Sequence, residues 1–173
     1  AGINGSQVSG DNLAGFDKLG FVFGGLTNLK FSKNFSGQLE LLYNEKGSKT
    51  KASDSINHYK LTLRYLEVPV IIAYHYKKFK IEAGPAIGVL FDAVEEDSYS
   101  VIEGRPFNTL EVSALIGFDF NIWKTLWLNG RLSESITPIR MHASKETLGL
   151  NKGQANTVIS FSLRYLFDVS QGE

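Results

Sequence analysis

The sequence predicts an all-β fold, namely an eight-stranded antiparallel up-and-down transmembrane β-barrel with short periplasmic turns and long extracellular loops. Two observations lead to this prediction. Apolar and polar residues alternate with a period of two along the chain, which is the pattern of strands that have one apolar face. The connections between the alternating segments are themselves short and long in turn, as in barrels of bacterial outer membranes.

The alternation is clearest in the last predicted strand, where Phe161 and Leu163 share one face and Ser160 and Ser162 share the other. Segments of about ten alternating residues, separated by turn residues, are what a membrane-spanning strand requires. Read in this way, the sequence contains eight strands, near 1–9, 18–31, 35–46, 58–76, 80–94, 110–122, 126–138 and 156–167.

Tight turns are expected at 32–34, 77–78 and 124–125, and long polar loops at 9–17, 47–57, 95–108 and 139–155. Eight strands then place both termini at the periplasmic end, and Ala1 is expected to begin inside the first strand of a mature or trimmed chain.

Aromatic rings favour the headgroup level of a membrane. A girdle of such rings is expected beside the tight turns, formed by Phe31, Phe35, Tyr74, Tyr76, Phe79, Trp123, Trp127, Tyr165 and Phe167.

The composition sets limits on the class of protein. A chain of 173 residues, of which 43% are hydrophobic, is expected to form a single domain over 1–173. Eighteen basic residues balance eighteen acidic ones, which argues against a nucleic-acid partner. The absence of cysteine excludes disulfides and thiolate metal sites. No run approaches the roughly 18 to 20 apolar residues of a transmembrane helix, so the chain would cross a bilayer as a closed barrel.

The polar faces of the strands would line the barrel interior, and they are rich in charge. An eight-stranded barrel is only wide enough for its own side chains, and a buried charge must be paired. The mixture therefore predicts a salt-bridged plug with no catalytic, cofactor or metal site. By alternation, the inward charges are Glu40, Lys60, Arg64, Glu67, Glu82, Glu111, Asp119, Arg131 and Arg164.

Seven of these charges are expected to form a structural polar network: Glu40, Arg64, Glu67, Glu82, Asp119, Arg131 and Arg164. A three-residue turn centred on Thr125 would place Asp119 directly opposite Arg131, an arrangement that stabilises a sheet.

The fourth predicted strand departs from regular alternation. Leu61, Leu63 and Tyr65 are expected to face lipid together with Val68 and later residues, which requires the alternation to reverse near residue 66. A one-residue bulge has this effect. Pro69 favours such an irregularity because it cannot donate a ladder hydrogen bond.

Several segments resemble the PorT-like outer-membrane β-barrel family that is common in Bacteroidetes. They are YLEVP at 65–69, ELLYNEKG at 40–47, EAGP at 82–85, AGING at 1–5 and RYLF at 164–167. The resemblance covers essentially the whole chain. It implies a barrel in the outer membrane and similarity to factors that support protein secretion and gliding, but no functional residue motif transfers. The expected partners are outer-membrane lipid and other envelope or secretion proteins that bind the outer loops of a monomer.

Two other classes of protein remain open. A soluble lipocalin-like ligand-binding barrel would need an apolar interior and a polar exterior. An envelope lipid-modifying enzyme could use His142 with Ser144 and Glu146 as a triad, or the inward carboxylates as an acid and a base, although structural ion-pair networks look the same. The three histidines, His58, His75 and His142, form no metal-ligand pair of close spacing.

Overall fold

The computed structural model describes residues 1–9, 15–50, 59–97, 106–141 and 153–167 of the chain. These residues form strands only. The strands are β1 Gly2–Ser9, β2 Lys18–Lys30, β3 Phe35–Lys49, β4 Lys60–Tyr76, β5 Phe79–Glu96, β6 Leu110–Trp123, β7 Leu126–Ser135, β8 Arg140–Met141 and β9 Gly153–Tyr165.

Eight antiparallel strands close into a barrel. Each strand from β1 to β7 pairs with its neighbour, β7 pairs with β9, and β9 pairs with β1. The short strand β8 pairs only with the first residues of β9 and was not predicted. Closure pairs the backbone groups of β1 with those of β2 and β9 and removes the sheet edge over the paired length, which on β2 is Lys18 to Val22. The predicted eight-stranded antiparallel barrel is therefore confirmed.

Three short connections, 31–34, 77–78 and 124–125, join strands at one end of the barrel, which we call the short-turn end. The predicted long loops at the opposite end lie largely outside the described residues. Several strands extend beyond the predicted bounds. For example, β3 continues to Lys49 instead of residue 46, and β5 runs from Phe79 to Glu96 instead of 80–94. No helix in the described part of the chain is long and apolar enough to cross a membrane.

The barrel is apolar outside and polar inside. Leu19, Phe21 and Phe161 are more than half exposed on the outer surface, whereas Glu82 and Asp119 are fully buried in the interior. A surface of this kind suits contact with hydrocarbon, since monomeric soluble proteins rarely expose a large continuous apolar area. The interior is also the reverse of the apolar interior that a lipocalin-like barrel would need.

The predicted reversal of alternation in β4 is wrong. Leu61, Leu63 and Tyr65 are buried, and they pack with Val8 and Ile139 in an apolar cluster inside the barrel. Every second residue of β4 keeps the same inward face. Apolar side chains can occupy either face of a barrel wall where the interior itself is apolar, so hydrophobicity alone did not reveal the direction.

The irregularity lies on the neighbouring strand. Arg64 pairs with Asp92 and Tyr65 pairs with Leu90, so Phe91 of β5 is the extra residue. One extra residue on one strand defines a β-bulge.

The predicted aromatic girdle has an exception at Trp127. This residue is only partly exposed, and its ring faces the buried Lys80 ammonium at 5.9 Å.

The β4–β5 ladder is interrupted opposite Gly84. Pairing stops after Pro69 with Ala86 and resumes at Ile72 with Ala83. A Cβ atom at Gly84 would lie 2.0 Å from the backbone oxygen of Val70 and 3.0 Å from the Cα of Ile71. Because these neighbours are backbone atoms, a side chain here would force the two strands apart.

We expect Gly84→Ala to lower the free energy of unfolding by about 1 to 3 kcal/mol through overpacking. The matched control is Gly25→Ala, since nothing lies within 4 Å of a Cβ at Gly25, and it should be neutral or slightly stabilising. Urea unfolding in lipid vesicles measures both changes. Equal effects of the two substitutions would contradict the close approach of β4 and β5.

Candidate functional site

Charged and amide side chains form two clusters in the interior. The cluster nearer the short-turn end is called the lower network. Its three carboxylates face three cations, so its formal charge is balanced. Its members are Gln38, Glu40, Lys80, Glu82, Asp119, Asn129, Arg131 and Arg164, all buried.

Glu82 on β5 is the centre of the lower network. Its Oε1 accepts hydrogen bonds from Nε and Nη2 of Arg131 at 3.0 and 2.7 Å, and from Nδ2 of Asn129 at 3.0 Å. Its Oε2 accepts a hydrogen bond from Nη1 of Arg164 at 2.9 Å. A carboxylate with no exposed surface is stable only with such partners, and two guanidinium groups provide them.

The pair between Arg131 and Glu40 crosses the whole barrel. Nη1 and Nη2 of Arg131 each donate to one carboxylate oxygen of Glu40 at 2.9 Å. This bidentate geometry is the strongest form of an Arg–carboxylate pair. Since β7 and β3 are four strands apart in a ring of eight, the two residues lie on opposite walls, and their side chains meet across the interior.

A glycine makes room for this contact. Gly117 of β6 pairs with Glu82 on one side and with Arg131 on the other. A Cβ atom at Gly117 would lie only 2.6 Å from Oε1 of Glu82. The missing side chain therefore lets Glu82 reach over β6 to the arginine on β7.

The predicted pairing of Asp119 with Arg131 is wrong. Asp119 lies opposite Asn129, and its partners are Nη1 of Arg164 at 2.9 Å and Nζ of Lys80 at 3.1 Å. The β6–β7 turn has two residues instead of three, and the register is irregular between Asn121 and Trp123. This register places Arg131 two residues beyond the predicted position and aligns it with Gly117.

The second cluster, the upper network, lies further from the short-turn end. Lys46 contacts Glu67 at 2.5 Å and Glu111 at 3.0 Å, which links β3 to β4 and β6. Gly88 pairs with both Glu67 and Glu111, so a glycine again lies between two charged residues. The other members are Asn4, Asn44, Ser135 and Asn156, which hydrogen-bond to one another or to the carboxylates.

Apolar layers separate and cover the two networks. Ile71, Ala86 and Leu115 form a small buried cluster that lies between the lower and upper networks along β4 to β6. Beyond the upper network, the cluster that contains Leu61 and Leu63 fills the interior. Charged and apolar side chains thus alternate along the inner face of β4 to β6.

Two charges predicted to point inward do not. Arg64 is 38% exposed at its side chain and pairs with Asp92 and Glu45, so it belongs to neither network. Lys60 is exposed and pairs with Glu96 at 3.3 Å. Both lie in the first five residues of β4, next to the bulge at Phe91, where the pairing with β5 shifts by one residue.

Among the described residues, sequence reasoning missed four buried cations, Lys18, Lys46, Lys80 and Arg140, of which Lys46 and Lys80 belong to the two networks. Their Nζ atoms are held by Glu111 and Asp119 respectively. Alternation alone could have placed both, because Lys46 shares a face with Glu40 and Lys80 shares a face with Glu82. Both lysines lie near strand ends, where lysines are usually exposed, so their inward position in the alternation was overlooked.

A cavity of about 370 Å³ lies beside the lower network. Gly24 and Gly25 of β2 and Ser160 of β9 form part of its wall, and Glu40 and Arg131 reach into it. The volume exceeds that of a single water molecule many times. Water in this cavity would hydrate one side of the Arg131–Glu40 pair.

Within the described ranges, no group of three or more His, Asp or Glu residues could hold a metal ion. Each carboxylate of the lower network is bound to at least one cation. His142, Ser144 and Glu146 lie outside the described residues, so the triad hypothesis is not addressed by this geometry.

The fold, the apolar outer surface and the paired interior define a β-barrel protein of the bacterial outer membrane. The chain belongs to the family described as outer membrane protein beta-barrel domain, which it matches over residues 1–140. A comparison with curated proteins finds no match.

Solved structures include similar barrels. Ail, the attachment invasion locus protein of Yersinia pestis, is similar with a TM-score of 0.51 and 10% sequence identity, and the alignment covers 95% of this chain and 93% of that one. CarO of Acinetobacter baumannii aligns with a TM-score of 0.45 and 11% identity over 95% of this chain and 97% of that one. At such identity the likeness to Ail shows a shared fold alone.

We expect Arg131→Met to lower the free energy of unfolding by about 3 to 5 kcal/mol, because it leaves Glu40 and Glu82 with too few cations. Adding Glu40→Gln should recover part of this loss, which gives a clear coupling energy in a double-mutant cycle. Arg64→Met is the surface control and should cost about 1 kcal/mol or less. Urea titrations measure the cycle. A larger coupling between Asp119 and Arg131 than between Glu40 and Arg131 would contradict the register.

Proposed function

We propose that this protein is a structural or accessory component of the outer membrane with a plugged interior, no channel function and no catalytic activity. The Arg131–Glu40 pair that crosses the barrel is the observation that carries this proposal. An eight-stranded barrel is only just wide enough for its own side chains, and the cavity of about 370 Å³ lies to one side of this pair. A bidentate pair fixed across the full width blocks the space that an ion would need.

The layered interior supports the same function. An ion that moved along the inner face of β4 to β6 from the short-turn end would meet the lower network, then the apolar side chains of Ile71, Ala86 and Leu115, and then the upper network. Passage through an apolar layer requires an ion to lose its hydration, which is costly. The cavity of about 370 Å³ lies beside Arg131, and on this proposal it holds water but does not continue through the upper network.

The carboxylates are better suited to structure than to catalysis. Glu82 and Asp119 have no exposed surface, so a substrate would have to displace arginine side chains to reach them. A general acid or base needs direct contact with the reacting group. The inward charges therefore join strands through salt bridges and hydrogen bonds, and a lipid-modifying reaction would have to use other residues.

An accessory role leaves the outer loops as the binding elements. The resemblance of segments such as YLEVP at 65–69 to PorT-like barrels supports a role in secretion or surface assembly. A rigid barrel that carries loops is a common arrangement for binding proteins, because a fixed scaffold positions variable loops. The partners would be other envelope or secretion proteins, bound by a monomeric barrel.

We expect the purified protein to be electrically silent, or nearly so, in planar lipid bilayers. Shortening both partners of the crossing pair, Glu40→Ala with Arg131→Ala, should produce small or flickering conductance because the lower network then no longer spans the interior. Lys49→Gln, at an exposed position near the opposite end, is the matched control and should stay silent. Stable, large single-channel steps from the unmodified protein would refute the plug.

A further inference from the structure

The lysines of the short-turn end form an unbalanced basic rim. Five exposed lysines lie in or beside the three turns, and the described turn residues include no carboxylate. The five lysines are Lys30, Lys33, Lys77, Lys78 and Lys124.

An apolar groove lies on the outer surface next to one of these turns. It has a volume of about 370 Å³. It extends over β4, β5 and β6, and all of its lining side chains are between 40% and 56% exposed. The lining residues are Tyr74, Tyr76, Phe79, Ile81 and Phe118.

Lys77 connects the basic rim to the groove. Its Nζ lies 5.4 Å from the centroid of the Tyr76 ring, within the range of a cation–π contact. Its backbone has a φ of 55°, a left-handed conformation for which two-residue hairpin turns usually select glycine or asparagine. Lysine is strained there, and it is retained beside Tyr76, whose side chain lines the groove.

We propose that this groove binds an anionic phospholipid, with one acyl chain against the aromatic residues and the phosphate at Lys77 and Lys78. The two parts of such a lipid match the two parts of the site. The groove is apolar and lies on the surface that faces hydrocarbon, and the lysines follow directly at the level where headgroups begin. Each lysine near a membrane surface attracts anionic lipid by electrostatics.

The position of the groove favours lipid over a protein partner. The outward residues around it, among them Ile72 and Ile116, are also exposed and apolar, so the groove is surrounded by surface that contacts acyl chains. Short turns of bacterial barrels face the periplasm, and the bound lipid would accordingly belong to the inner leaflet. The site does not depend on whether the interior conducts.

The test uses native mass spectrometry of the purified full chain in detergent, with phosphatidylglycerol and phosphatidylcholine of identical acyl chains. The unmodified protein should retain phosphatidylglycerol in preference. Lys77→Gln with Lys78→Gln should reduce this preference by about fivefold for each lysine. The matched control is Lys49→Gln with Lys60→Gln, which removes two exposed lysines at the other end and should leave the preference unchanged.

Two further variants separate the groove from the charge. Phe79→Ala should reduce retention of both lipids, whereas Phe21→Ala, an outward aromatic residue on β2, should not. Lys77→Gly should raise the unfolding midpoint by relieving the left-handed lysine and still weaken phosphatidylglycerol retention. A purely structural turn residue would not separate these two effects.

Three results would overturn the proposal. The first is equal retention of the two lipids by the unmodified protein. The second is unchanged retention of phosphatidylglycerol after the Lys77 and Lys78 substitutions. The variant must be folded, which is checked by its faster migration on a gel when unheated than when boiled. The third is loss of a co-purifying acidic protein, with no change in lipid, in the Lys77→Gln and Lys78→Gln variant, which would assign the lysines to a protein partner.

Discussion

The width of the barrel is the constraint on which the rest of the structure depends. Eight strands enclose a narrow space that is mostly occupied by their own side chains, and any charge placed there must find its partner within that space. Arg131 and Arg164 meet this requirement by sharing the carboxylates of Glu40, Glu82 and Asp119. The pairing of β1 with β9 creates the enclosure, and the enclosure in turn determines which charged residues the sequence can place inward.

Charge is distributed unevenly along the barrel axis, although the net charge of the whole chain is zero. The lower network is neutral in sum, the upper network has one cation between two carboxylates, and the turns of the short-turn end are purely basic. Paired charges can be buried at tolerable cost, whereas exposed lysines remain solvated. The buried charges and the exposed lysines therefore serve different purposes. The buried charges join strands, and the exposed lysines lie at the membrane surface.

Much of the fold followed from the sequence, because strand alternation and turn spacing are local. Glu40, Glu67, Glu82, Asp119, Arg131 and Arg164 lie in the interior as alternation placed them. Pairing partners could not be predicted in the same way, since they depend on turn geometry and on gaps such as Gly117, which allow contacts across a strand. Leu61 and Arg64 were misplaced because apolar residues can face inward near a barrel end, where a bulge on β5 also shifts the pairing.

The lower network joins residues that are far apart in sequence, since 91 residues separate Arg131 from Glu40 and 82 separate Arg164 from Glu82. An unfinished sheet of β1 to β5 would hold the carboxylates of Glu40 and Glu82 without their arginines, and an unpaired ionised group in hydrocarbon is costly. Contacts this distant also slow folding. Insertion should accordingly be a cooperative event in which partly assembled sheets gain little, and arrival of the last strand both balances the charge of the lower network and commits the chain to the bilayer.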